Sequence, residues 1–195
     1  MLNYKIKNNR AFTLVETMVA VFILSLTIIS LMSVVASSLF YSRYSRDEII
    51  VNYLLQEAVD YIRNDRDSIV FLNDENIDDN WEKFIEKYKD CTDEQNGCIL
   101  DVYANLQDPN SFSVTKCEYS DSEDKTLCPP FYFNSDPKFY FYNYKFEGVE
   151  TSFQRKIVLK RNSSNPDEVL VEAKMFWKNG DNSKTRELKT SLLKW

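Results

Sequence analysis

No charged residue occurs between Thr17 and Ser42, and one carboxylate, Glu16, stands at the mouth of that run. As an α-helix rising about 1.5 Å per residue, the run covers about 39 Å, more than the ~30 Å of hydrocarbon in a bilayer. A charged carboxylate costs roughly 2.5 to 3.5 kcal/mol at the centre of such a segment and less near its end, so something must offset Glu16. The helical pattern does not stop at Ser42. Ile49, Ile50, Tyr53, Leu54, Ala58, Tyr61 and Ile62 recur at steps of three and four, with polar residues between them, as a helix packed on a sheet requires. No Gly or Pro interrupts the chain from Phe12 to about Asp65, which predicts one continuous rod about 80 Å long.

Ahead of the run, Met1 to Ala11 carries Lys5, Lys7 and Arg10 and no acidic residue. A secretory signal has its apolar region before the cleavage site; here it follows. The stretch Arg10-Ala11-Phe12-Thr13-Leu14-Val15-Glu16, leading straight into the apolar segment, resembles the amino terminus of type IV prepilins and type II secretion pseudopilins. The likeness is to minor pilin-like proteins with the prepilin-type cleavage and methylation motif.

That resemblance implies a cleaved leader at 1–11, with a prepilin peptidase cutting between Ala11 and Phe12 and methylating the new amino terminus of Phe12. Gly is commoner than Ala before the cut, so Ala11 is a departure from the usual pattern. It implies a long helix over 12–66, of which 12–42 lies in the membrane or the filament core, and an extracytoplasmic globular domain over 67–195. The expected fold is α+β, a pilin fold in which the long hydrophobic helix packs on an antiparallel β-sheet. Glu16 takes an assembly role, meeting the freed amine of a neighbouring subunit. Many major pilins carry a Pro where this chain has Ser33, which leans the likeness toward a pseudopilin or minor pilin. Implied partners are the prepilin peptidase, other pilin or pseudopilin subunits, the inner-membrane assembly platform and membrane lipid. The implied location is the bacterial inner membrane, single-pass with a cytoplasmic amino terminus, and then the assembled pilus at the cell surface.

Composition agrees with this on several counts. Net charge is −6, and losing the three leader cations takes it to −9, which disfavours direct nucleic-acid binding. With no His, Ser-His-Asp chemistry and His-metal sites are excluded; with only 3 Gly, so is a glycine-rich phosphate cradle. No enzyme activity, metal or other cofactor is expected. Three leader cations against Arg43 and Arg46 place the leader in the cytoplasm and the body outside. Cys91, Cys98, Cys117 and Cys128 all fall in the external part, where disulfides are the default. Their steps of seven and eleven residues miss the tight spacing of zinc knuckles. Sequence permits three pairings; Cys91–Cys98 and Cys117–Cys128 are expected because each closes a short loop in a polar region.

Within the apolar run, Ser30, Ser33 and Ser37 share a helical face. They suit either close approach of neighbouring helices or hydroxyl bonds to their own helix four residues back. The segment Gln56-Glu57 to Arg63-Asn64-Asp65-Arg66-Asp67-Ser68 resembles a register found in a group of minor, prepilin-type proteins. Its basic residues are expected to meet the last helix carbonyls and nearby carboxylates. After a polar link at 73–80, Trp81, Phe84, Ile85 and Tyr88 predict a short amphipathic helix starting near Asp79 or Asn80.

The cysteine-bearing stretch reads as loop with short strands around Cys98 to Tyr103 and Phe112 to Cys117. Tyr140, Tyr142, Tyr144 and Phe146 are expected on one face of an aromatic strand, with Phe139 and Phe141 on the other, as sheet core rather than a stacking platform. Toward the carboxyl end, Phe153, Arg155, Ile157 and Leu159 alternate with Gln154, Lys156, Val158 and Lys160. Val169, Val171, Ala173, Met175 and Trp177 follow, then an Asn179-Gly180 turn, then Leu188, Thr190 and Leu192: an antiparallel meander. Two acidic clusters, Asp74, Glu75, Asp78 and Asp79, and Asp121, Glu123 and Asp124, lack the spacing of a calcium loop and are expected as solvated surface.

These features point to a minor type IV pilin or pseudopilin, a non-enzymatic filament subunit. The alternative is a membrane-anchored extracytoplasmic adhesive or binding module that does not polymerise.

Overall fold

A computed structural model describes residues 13–72, 77–107, 114–120, 125–136, 139–145, 148–180 and 182–194. Helix α1 covers Leu14–Leu72 without a break, as a stretch lacking Gly and Pro allows. It runs beyond the end expected near Asp65 because the apolar stripe continues, with Ile69 packed on the core and Val70 buried. The chain divides into two compact units, Met1–Arg46 and Asp47–Trp195. In the first, the large apolar side chains from Leu14 to Tyr41 stand exposed, and by length and composition the helix is able to cross a membrane.

The second unit is a helix-on-sheet layer. After α1 come α2 (Ile77–Lys87), a 3-10 turn at Lys89–Cys91, β1 (Cys98–Leu100), α3 (Val102–Gln107) and β2 (Val114–Lys116). Then follow β3 (Glu118–Ser120), β4 (Lys125–Leu127), β5 (Pro130–Asp136), β6 (Phe139–Asn143), β7 (Val149–Asn162), β8 (Asn165–Asn179) and β9 (Asn182–Leu193). β7 is the spine. One of its edges pairs with β8 from Gln154 to Asn162, and β8 in turn pairs with β9. The other edge is shared end to end: β5 takes its start and β1 pairs at Ile157, with β6 beyond β5 and β2 beyond β1. Every pairing is antiparallel, and β3 with β4 forms a separate ladder.

The alternation expected of the meander is present. Val169, Val171, Ala173, Met175 and Trp177 are buried on one face of β8, and Phe153, Ile157 and Leu159 on the same face of β7. Against them lie Val51, Leu54, Leu55, Ala58, Val59 and Ile62 of α1 and Trp81, Phe84 and Ile85 of α2, in one cluster. Each such side chain contributes about 1.5 to 3 kcal/mol by leaving water. β7 is buried on its second face too: Lys156 and Val158, which alternate with the core-facing residues, are covered. Gly97, at φ +65°, passes so close to β7 that a Cβ there would meet the Ile157 carbonyl oxygen at 2.7 Å.

Other departures from the sequence reading have local causes. The strand expected to reach Tyr103 stops at Leu100, because Asp101 accepts the Ala104 N–H at 3.0 Å and starts α3. Tyr103 is therefore helical and stacks on Phe141 with ring centroids 3.9 Å apart. The strand expected from Phe112 is described only as β2, Val114–Lys116; Phe112 itself lies outside the described residues. α2 begins at Ile77, ahead of Asp79 and Asn80; residues 73–76 lie outside the described residues. Among the aromatics, Tyr142 and Tyr144 pack on the core, whereas Tyr140 is 71% exposed. β6 ends at Asn143, and Phe146 lies outside the described residues.

Candidate functional site

The amino end of α1 is capped by its own sequence. Thr13 precedes the first helical residue; its Oγ1 accepts the Glu16 N–H at 3.3 Å and its carbonyl accepts the Thr17 N–H at 3.2 Å. Thr13 is thus the N-cap and Glu16 the third helical residue, the spacing of a capping box. A carboxylate here is favoured by the helix dipole, so Glu16 has a local reason for its position that sequence reasoning missed. The signal was Thr-x-x-Glu. Beyond it, the hydroxyls turn inward along the helix: Ser25 donates to Val21 O at 2.8 Å, Ser30 to Thr27 O at 2.8 Å and Ser37 to Ser33 O at 3.0 Å. Of the two readings kept open for Ser30, Ser33 and Ser37, bonding to their own helix is seen at Ser37, four residues back, and at Ser30, three residues back. It leaves these hydroxyls satisfied without water, as hydrocarbon demands.

A family model, the prokaryotic N-terminal methylation motif, matches residues 6–40. The chain carries a type IV prepilin leader signature. No curated protein and no solved structure matches the chain. The prepilin signature supports a type IV pilin-like or pseudopilin precursor, a structural class rather than an enzymatic one. It implies processing by a prepilin peptidase and assembly with other pilin subunits, and an envelope location suits the apolar helix. Ala11 and Phe12, the residues flanking the expected cut, lie outside the described residues.

The carboxyl part of α1 is tied to its sheet by the residues of the Gln56–Ser68 segment. Glu57 accepts Arg155 Nη1 of β7 at 2.9 Å. Asp65 accepts Lys87 Nζ at 2.7 Å through one oxygen and the Tyr88 hydroxyl at 3.0 Å through the other. Burial and the Asp65 charge together hold the Tyr88 phenol well above its ordinary pKa. Arg66 is buried, donates to Leu193 O of β9 at 3.1 Å and pairs with Asp67 at 2.6 Å. Arg66 thus meets a nearby carboxylate as expected, but the carbonyl it reaches belongs to a strand rather than to the last turn of its own helix. Arg63 pairs only locally, with Asp60 at 3.2 Å, both exposed.

Arg155 was read from sequence only as one of the residues on an alternating strand face, and it is the hub of this unit. Its side chain is 1% exposed. Nη1 donates to Leu54 O of α1 at 2.5 Å as well as to Glu57, and Nη2 donates to Leu100 O of β1 at 2.7 Å. The guanidinium sits 5.0 Å from the Phe131 ring centroid, a cation–π contact in a desolvated site. Burial raises the Tyr144 phenol, and the neighbouring Arg155 charge opposes that rise. The signal available in sequence was a lone charge among Phe153, Ile157 and Leu159; buried charges are rare unless paired.

The cysteines pair as Cys91–Cys98 and Cys117–Cys128, closing loops of sequence separation 7 and 11. The first pair is fixed at the 3-10 turn and β1; the second sits under Ile99 with Tyr144 against it. Of the acidic clusters, Asp78 pairs with Lys194, while Asp74, Glu75, Asp121, Glu123 and Asp124 lie outside the described residues. Among the described residues, no three Cys, Asp or Glu converge on one point as a metal site.

Proposed function

We propose that this chain is a minor type IV pilin or pseudopilin, a structural subunit of an envelope-spanning pilus or secretion filament. The observation that carries the reading is the methylation-motif match over 6–40, together with a helix whose first turn holds Glu16 and whose large apolar side chains from Leu14 to Tyr41 are exposed. On this reading the precursor sits once across the inner membrane with its leader in the cytoplasm. The peptidase cuts between Ala11 and Phe12, Phe12 is N-methylated, and the assembly platform moves the helix from lipid into the filament core. The freed Phe12 ammonium of one subunit pairs with Glu16 of another. Opposite charges in low dielectric offset the desolvation each ion suffers.

Because Thr13 and Glu16 also form a cap, the decisive variant is Glu16→Gln, which suits the third helical position of a capping box but carries no charge. The expected result is a protein that is cleaved and inserted normally and enters filaments poorly. Amino-terminal mass spectrometry on native protein should find N-methyl-Phe12 in wild type and variant alike. An intact Met1 terminus in cells with an active peptidase would refute the family reading. Normal filament entry by Glu16→Gln would refute the pairing alone. Correct cleavage with no co-purifying pilin would favour a non-polymerising anchored module.

A further inference from the structure

The segment 91–100 straddles β7, and the two faces of that strand hold it by adjacent residues. On the core face, Arg155 Nη2 donates to Leu100 O at 2.7 Å. On the opposite face, Lys156 Nζ donates to Gln95 O at 2.6 Å and Glu94 O at 3.0 Å. Between them, Cys98 pairs with Ile157 along the strand edge, and Gly97 lies against the Ile157 carbonyl. The turn is further set by Asp93, which accepts the Gln95 N–H at 3.0 Å and pairs with Lys116 at 2.8 Å. The Cys91–Cys98 disulfide closes the clasp. The same Arg155 that holds Leu100 also holds Leu54 O and Glu57 of α1. Its guanidinium is buried, so it satisfies both segments or leaves buried acceptors bare.

We infer that oxidation of Cys91 and Cys98 sets the docking of the carboxyl part of α1, with Arg155 as the positioning residue that transmits it. The covalent step is an exchange with a disulfide-bearing thiol oxidoreductase. One thiolate attacks the oxidant's disulfide, forming a mixed disulfide and releasing one oxidant thiolate; the second thiolate then attacks the subunit's sulfur in that mixed disulfide and displaces the oxidant's other thiolate. The subunit's two thiols give up two protons and two electrons, and the oxidant's disulfide becomes two thiols. Before that step, 91–100 is an open loop that must pay its full ordering entropy to present Leu100 O. After it, the loop is preformed and Arg155 is fixed against α1. The Cys117–Cys128 pair meets the same segment elsewhere, by Cys117 N–H donating to Gly97 O at 3.0 Å and by packing under Ile99, away from the Leu100, Glu94 and Gln95 carbonyls that Arg155 and Lys156 hold, so it serves as the comparison. The inference concerns docking within the 47–195 unit and holds whatever the filament does.

Hydrogen exchange on the full chain in detergent tests it. Replacing both Cys91 and Cys98 with Ser should quicken amide exchange across 51–66 by about tenfold or more, the scale of losing one charge-assisted bond. Replacing both Cys117 and Cys128 should leave 51–66 within about twofold of wild type. Unchanged protection in the first variant, or equal loss in both, overturns the inference. Should the first variant not fold, two variants with intact disulfides decide. Arg155→Lys keeps the charge but loses the fork, and should quicken both 51–58 and 91–100. Lys156→Met should quicken 91–100 alone. If Arg155→Lys disturbs only one of the two segments, no coupling runs through it.

Discussion

Residues 14–46 and 47–72 belong to one helix, yet they solve the problem of being helical in different ways. From Thr17 to Ser42 the first part carries no charge; its capping Thr13 and its Ser25, Ser30 and Ser37 close their hydrogen bonds within the helix itself. The second is apolar on one face only, and its polar residues reach outward to β7, α2 and β9 through Glu57, Asp65 and Arg66. Helix propensity hardly differs between the parts. What differs is where polar groups find partners, internally in a part suited to lipid or to packing among like helices, and across elements in a part suited to one fixed sheet.

The contrast can be broken most sharply by truncating one leucine in each part. Leu55→Ala, at a position 2% exposed, should cost about 2 to 5 kcal/mol in chemical unfolding of the full chain in detergent. Leu26→Ala, at a position 52% exposed, should leave that unfolding transition within about 0.5 kcal/mol. Comparable losses would mean that the first part is packed on something within its own chain.

A second effect is alkaline. Tyr88 and Tyr144 have raised pKa values in the folded state, mainly through burial, against about 10 when unfolded. The unfolded chain therefore binds fewer protons above that pH, and stability present below pH ~10 should fall by up to about 1.4 kcal/mol per pH unit for each tyrosine. Tyr88→Phe and Tyr144→Phe should each flatten the alkaline limb of a stability–pH curve; an unchanged limb in both variants would mean that neither phenol is held protonated by the fold.

The smallest effect expected is at Arg63. Its pairing with Asp60 is exposed and local, so Arg63→Ala should change stability by less than about 0.5 kcal/mol. A larger loss would show that Arg63, like Arg66, ties α1 to another element.

The parts of this fold that could be read from sequence are those in which one periodicity governs a long stretch. The unbroken α1, the Trp81–Tyr88 stripe and the β7–β9 alternation all appear where the residue pattern puts them. The reading failed where contacts are short in sequence or where two segments meet from afar. Asp101 ends a strand and caps a helix within three residues, and Cys98–Tyr103 carries too few residues for a period to show it. Nothing local in the sequence reveals that 93–97 lies over Lys156. Of the site, Glu16 was visible as an anomaly, a charge beside a long apolar run. Its partner in the cap, Thr13, was hidden by the interest of its neighbour.

The adjacency of Arg155 and Lys156 also acts as a proofreading device for strand alignment. Successive residues of a strand face opposite ways, so a slip of one place would send Lys156 toward α1 and Arg155 toward the 93–97 turn. The compact ammonium lacks the planar fork that reaches Leu54 O, Glu57 and Leu100 O together. The longer guanidinium would have to enter a turn in which Gly97 already leaves no room for a Cβ. Mispaired β7 is penalised on both faces at once, so the strand carries its own test of correct threading.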